Sequence, residues 1–258
     1  MAKTHDDFFV GYIGGVPRGS RSLILLVILT FVGAMAGAGY FISAMQPDPG
    51  PGRFFFQHKT FTGILETAPY PLVRVAPNES YPNGHTLLLA GQGKRGVQVQ
   101  VQAAALSGQV VDVGGVLLKR GTIDMLQVGR RVPLQASVDG LTDEARDAID
   151  LSVTDLGTWR LTGEICDGKC YVGAMRPGTG IAHKACANLC LNGGVPAVFV
   201  STAPVEGGEF FLLSDRDGNP IGDELQKYVA ARVQVDGQIE RRGDLMVFKV
   251  DLNSVEVL

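Results

Sequence analysis

From Ser22 to Met45 the chain runs for 24 residues without a charged side chain (SLILLVILTFVGAMAGAGYFISAM). At about 1.5 Å per residue, a helix of that length crosses the roughly 30 Å hydrocarbon core of a bilayer. The stretch is longer than the apolar region of a cleaved signal peptide and follows a polar and aromatic leader, so it reads as an uncleaved anchor. The nearest cations, Arg18 and Arg21, lie on its N-terminal flank, whereas 46–52 (QPDPGPG) carries only Asp48. The positive-inside bias then makes residues 1–21 a cytoplasmic segment, 22–45 a single transmembrane helix of the bacterial inner membrane, and the rest periplasmic. Gly33 and Gly37 form a GxxxG pair with Ala34 and Ala38 beside them. One side of the helix is thereby smooth enough for a membrane protein partner, although Gly and Ala are also simply common in spanning helices.

Three prolines alternating with glycines over 46–53 cannot continue the helix and make a short stiff linker. Beyond it the pattern changes. Alternating or β-branched runs bounded by Gly, Pro, Asn and Asp recur to the end of the chain, which makes the remainder mainly β. Strands are expected over 60–66, 71–76, 86–90, 97–102, 109–118, 121–127, 159–166, 196–202, 209–214, 229–240 and 244–250. Val97, Val99 and Val101 alternating with Gln98, Gln100 and Gln102 give the cleanest half-buried strand signal.

A weak internal repeat organises these strands. Segments 107–128 and 229–250 both run strand, Gly, apolar stretch, Arg-Gly, strand, which places Arg120-Gly121 and Arg242-Gly243 in matching turns. Each segment is preceded by a strand bearing Thr-Gly, at Thr62-Gly63 and Thr162-Gly163. Two small OB-like β-barrels are the expectation, over 54–140 and 157–258, with a bridging helix at 141–156 capped by Thr142. Trp159, Phe210 and Phe211 are expected in the second core.

All four cysteines fall within Cys166 to Cys190. Helix composition from His183 to Cys190, stopping at an αL cap at Asn192-Gly193, aligns His183, Cys186 and Cys190 along one face. Cys166 and Cys170 fall at the end of a strand and in the loop after it, where the helix can fold back on them. An even cysteine count in an oxidising compartment reads first as disulfides, paired between strand and helix rather than within either. The sharper reading is a soft-metal site in which some of Cys166, Cys170, Met175, His183, Cys186 and Cys190 supply ligands suited to copper. The spacing matches neither haem attachment nor ordinary zinc motifs.

Lys169, Cys170, Tyr171, Gly173, Met175, Pro177, Gly178, Gly180, His183, Cys186, Ala187, Cys190, Gly193, Gly194 and Pro196 fit the pattern KCYxGxMxPGxGxxHxxCAxxCxxGGxP. The block thereby resembles one in uncharacterised membrane-anchored periplasmic proteins of bacteria. The resemblance covers only 169–196, leaves Cys166 outside the pattern and implies no activity.

A formal net charge of -3 without a Lys/Arg run argues against nucleic acid as a partner. No nucleophile elbow, P-loop, dinucleotide fingerprint or zincin helix is present, so the chain reads as non-catalytic. Gly91–Gly96 (GQGKRG) superficially suggests a phosphate loop, but it reads as a hairpin turn between strands. Asp215 and Asp217 read as turn residues, and His58 and His85 as isolated. The leading functional expectation is an accessory or assembly subunit of a membrane complex, an electron-transfer one, without a cofactor of its own. The alternative is a periplasmic copper- or cofactor-handling protein.

Overall fold

The computed structural model describes residues 18–45, 50–97, 100–131 and 133–258. It divides into an N-terminal helical unit and a second unit that begins at Pro49. Helix α1 (Arg21–Met45) continues a 3-10 turn at Arg18–Ser20. The span Arg18–Ile42 is long and apolar enough to cross a membrane. The leader up to residue 17 and linker residues 46–49 lie outside the described residues.

The second unit holds two closed five-stranded barrels, and the sequence repeat is real in three dimensions. In the first, β1 (Arg53–Glu66), β2 (Leu72–Val75), β3 (His85–Ala90), β4 (Val110–Arg120) and β5 (Ile123–Val128) close in the order β1-β2-β3-β5-β4-β1. Between β3 and β4 lies α2 (Gln100–Leu106), and β6 (Gln135–Ala136) extends β4. In the second, β7 (Val153–Asp167), β8 (Ala197–Val205), β9 (Gly208–Ser214), β10 (Arg232–Arg242) and β11 (Leu245–Val250) close in the same order, with β12 (Glu256–Val257) on β10. The third and fifth strands run parallel in both. This is the OB arrangement, with no free sheet edge along the ring.

The repeated residues sit where the topology needs them. Gly63 pairs with both Val75 and Val111, and Gly163 with both Ser201 and Val233, so each belongs to a strand that serves two neighbours. A Cβ at either glycine would run into the carbonyl of Arg74 or Val200, which is why no larger residue fits where this strand bends between its partners. Gly121 and Gly243 both turn the last hairpin with φ at +57°, a left-handed conformation that glycine adopts without a Cβ penalty.

Leu87 and Leu89 point into the first barrel with Phe61, Leu65, Val73, Val113 and Leu126. Leu88 and Ala90, one residue out of phase, join Leu72, Leu118 and Met125 in the cluster that contains the second barrel's core. Strand β3 is buried on both faces, which explains why its sequence is continuously apolar rather than alternating. The barrels therefore share apolar packing. At one edge of their contact Arg74, 3% exposed, donates to Glu66, Thr86 and the Arg242 carbonyl.

Four local expectations give way. The run 97–102 is not a strand: Gln100–Leu106 is helical, Val97 packs in the first core, and 98–99 lie outside the described residues. The following Ala103-Ala-Ala-Leu106 favours helix, and the register of β4 with β1 leaves no edge for a further strand. Gly91–Gly96 is consequently not a hairpin between strands but a loop running from β3 towards α2. The bridging helix shrinks to α3 (Asp143–Asp147), although Thr142 caps it as expected, accepting from the Ala145 N–H. Residues from Val153 are instead drawn into β7 by pairing with Arg242. Trp159, 38% exposed, donates to the Leu156 carbonyl outside the core, whereas Phe211 is fully buried.

Candidate metal centre

The insertion between β7 and β8, the first and second strands of the second barrel, carries the cysteine block. Strand β7 delivers Cys166 and Asp167, and a π-turn at Cys170–Ala174 follows immediately. A 3-10 turn (Ile181–His183) leads into α4 (Lys184–Asn192), which ends at Gly193 in right-handed geometry. The left-handed residue is Gly194, one position later than the composition suggests, with φ at +87°. On α4, Cys186 and Cys190 are one turn apart and share a face.

That face meets the π-turn. The Sγ of Cys170 lies 3.9 Å from that of Cys186 and 4.0 Å from that of Cys190. The Sδ of Met175 stands 3.2 Å from the Cys186 thiol. Thiolates bound to one ion at about 2.3 Å sit about 3.8–4.0 Å apart in tetrahedral or trigonal geometry, so Cys170 stands at ligand spacing from Cys186 and from Cys190. A ring nitrogen of His183 falls within 4.8 Å of the Cys170 and Cys186 sulfurs, and Asp167 is grouped in the same way with Cys170 and Cys190. Asp167 holds the block together: it accepts from the Cys170 N–H at 2.8 Å and pairs with His183 Nε2 at 2.8 Å, both in the interior. A carboxylate behind an imidazole fixes the ring's tautomer and orientation, the usual support of a metal-binding histidine.

The predicted residues do not all converge. Cys170, Cys186, Cys190, His183 and Met175 come together. Cys166 faces another way, its thiol donating to Glu164 Oε1 at 3.2 Å. Burial, reinforced by the negative charge of Glu164, pushes that thiol well up and leaves it inert. Periodicity accounts for the separation. Cys166 lies on a strand and its side chain is set by the barrel, whereas Cys170 belongs to the turn beyond it. All four cysteines are free thiols, and the contacts of Cys170 with Cys186 and Cys190 are hydrogen bonds rather than disulfides.

Two lysines that were not among the expected ligands complete the environment. Lys94, from the loop after β3 in the first barrel, donates to Cys186 Sγ at 2.6 Å. Lys169 is 3% exposed and donates to the carbonyls of Gly91 and Gly93, each at 2.7 Å, pinning that loop over the block. The Gly96 N–H bonds the Gly193 carbonyl at 2.7 Å, and a Cβ at Gly193 would collide with the Lys94 carbonyl. A hydrogen bond from Cys170 favours the thiolate of Cys190 and lowers its pKa, with Lys94 adding to the effect. Donating that bond, and burial, push Cys170 up, so the pair keeps one proton on Cys170. The thiol contact raises Lys94, while burial lowers Lys169. The GQGKRG motif was a signal for this approach only in that its glycines permit close backbone packing.

The site has an inner and an outer half. Cys190 and Cys170 are 1% and 5% exposed, whereas Met175 is 45% exposed and Cys186 is half-buried. A soft ion held here would take Cys170 and Cys190 from the buried side and Cys186 and Met175 from the solvent side. Comparison with protein-family models, curated proteins and solved structures gives no match to this chain.

Proposed function

We propose that this protein is a single-span inner-membrane protein whose barrels face the periplasm and whose Cys170/Cys186/Cys190 cluster, with Met175 and His183, binds copper(I) for exchange with other molecules. The observation that carries the reading is the 3.9 and 4.0 Å spacing of the Cys186 and Cys190 sulfurs from that of Cys170, with a thioether beside the outermost. Sulfur-rich, low-coordination donor sets select soft monovalent copper over harder ions. The exposed half of the set leaves a path for ligand exchange, which a purely structural ion does not need. When bound, copper(I) would supply exchange of soft ligands. This chain's residues position the sulfurs, hold His183 through Asp167 and keep Lys94 against the outer thiol.

The test is purification of the full chain from membranes in mild detergent without chelator, followed by metal analysis and thiol titration after denaturation. Near-stoichiometric copper with thiols freed on its removal is expected. A metal-free chain with bridged cysteines sinks the reading. The topology is tested in parallel by a phosphatase fused after Leu258, active only if that end is periplasmic.

A second reading, an accessory or assembly subunit of a membrane electron-transfer complex, draws support from α1, where among the described residues a Cβ at Gly33 or Gly37 would meet nothing beyond its own helix within 4 Å. Such a face admits a second helix closely. Stoichiometric partners in the same detergent extract are its expected result, and a monodisperse lone chain counts against it.

A further inference from the structure

The surface around the outer thiol has a one-sided charge. From 168 to 205 the sequence contains no Asp or Glu, and from 80 to 111 none either, in a chain whose net charge is -3. These are the stretches that supply α4, the π-turn and the loop carrying Lys94. Their cations Lys94, Arg95 and Arg176 are exposed and Lys184 is half-buried. The carboxylates that approach the block are turned away from its open side. Asp167 is buried on His183, and Glu164 accepts from the Gly180 N–H and the Cys166 thiol. Asp223 reaches only the far end of α4, through Gln226 and Asn192. Arg176 donates to the Gly52 carbonyl and Lys184 to the Lys227 carbonyl, while beside the outer thiol the apolar side chains of Met175 and Leu189 are 45% and 57% exposed, the latter one turn from Cys186.

We propose that this face is a docking surface for an acidic protein partner, which meets the Cys186 thiol and the Met175 thioether at the centre of the contact. An apolar centre with a charged margin is the anatomy of a transient protein contact, and one sign of charge around an opening speeds the approach of the opposite sign. An anionic bilayer has the same charge. It would, however, seal the solvent side of the sulfur cluster, whereas exchange requires that side to be reached by a donor group. The inference rests on the metal reading for what is exchanged, and on the charge distribution alone for the surface.

The experiment uses the reduced full chain in an uncharged detergent and follows the accessible thiol, Cys186. Two disulfide reagents are compared, the dianionic dithiobis(nitrobenzoate) and the uncharged dithiodipyridine, each forming a mixed disulfide with release of one thiolate. The dianionic reagent is expected to slow roughly tenfold from low to high salt, while the uncharged one changes little. Poly-L-glutamate is expected to protect the thiol, and Arg95→Glu with Arg176→Glu to remove both effects. Equal salt responses overturn the proposal. So does failure of poly-L-glutamate to protect, which makes the site one for small anions, or protection by phosphatidylglycerol vesicles alone, which makes it a bilayer contact. Copper loading is measured on the same preparation: protection without copper binding refutes the metal reading and leaves the docking surface standing.

Discussion

Lys94 on the first barrel donates to the Sγ of Cys186 on the second at 2.6 Å, although the two residues are 92 positions apart. The contact makes the thiol cluster a product of both barrels. It also ties the outer half of the site to a loop outside the cysteine block.

The two kinds of cysteine should separate on substitution. Cys170→Ser, which removes the sulfur central to the cluster, is expected to weaken copper(I) binding at least about tenfold. Cys166→Ser should leave affinity unchanged, because its thiol faces Glu164. Competition against a copper(I) chelator followed by absorbance decides this, and equal losses in both variants would remove the structural distinction.

Asp167 acts through what it holds rather than as an expected ligand. Asp167→Asn keeps a hydrogen-bond acceptor for the Cys170 N–H but weakens the grip on His183. Affinity is expected to drop about 10–100-fold with stoichiometry preserved. Unchanged affinity, measured by the same competition, means that His183 takes no part in binding.

The contact between the barrels should carry a pH signature. His85 lies between Asp124, 3.2 Å from Nε2, and Asp244, against Nδ1. Burial opposes its charge, yet bonds to Asp124 and Asp244 raise it to about 9, and the same histidine helps to hold Asp244 down at about 2 against burial. A raised histidine stabilises fully below its unfolded value near 6.5 and loses that contribution as pH rises through about 9. The lowered Asp244 contributes above about pH 4 and is lost as pH falls towards 2. The midpoint of thermal unfolding should therefore fall by a few degrees between pH 6.5 and 9.5. His85→Gln should flatten that limb; a wild-type curve already flat there refutes the assignment.

Gly193→Ala tests the seam beside the site. Its backbone is right-handed, so alanine suffers no conformational penalty, but the added methyl meets the Lys94 carbonyl. A loss of about 1–3 kcal/mol is expected from forcing the loop away. Denaturant unfolding measures it. Retention of wild-type stability shows that the loop yields freely.

The features legible in the residues were those carried by local pattern or by repetition. An uncharged run of bilayer length marks α1 whatever follows it. Thr-Gly and Arg-Gly recur at corresponding places because strand pairing on two sides and a tight turn each leave room for nothing but glycine, so the repeat disclosed two barrels. The cysteine block was conspicuous for the same reason. Alternation alone misled at 97–102, where Val97 packs and the chain then turns into α2.

Tertiary structure decided what depends on elements distant in the chain. No spacing rule places Lys94 on Cys186, His85 between Asp124 and Asp244, or Leu88 against the second barrel while Leu87 fills the first. These follow from barrel closure, which fixes which strand faces point outwards and how the two outer surfaces meet. Closure likewise separates Cys166 from the other three cysteines: its direction is set by the pleat of β7, whereas theirs is set by a turn and a helix folding over it. The sequence by itself therefore determined the apolar N-terminal helix, the paired barrels and the donor atoms on offer. Which donors share one centre, and which charges surround it, was determined by long-range packing, whose energies no local pattern records.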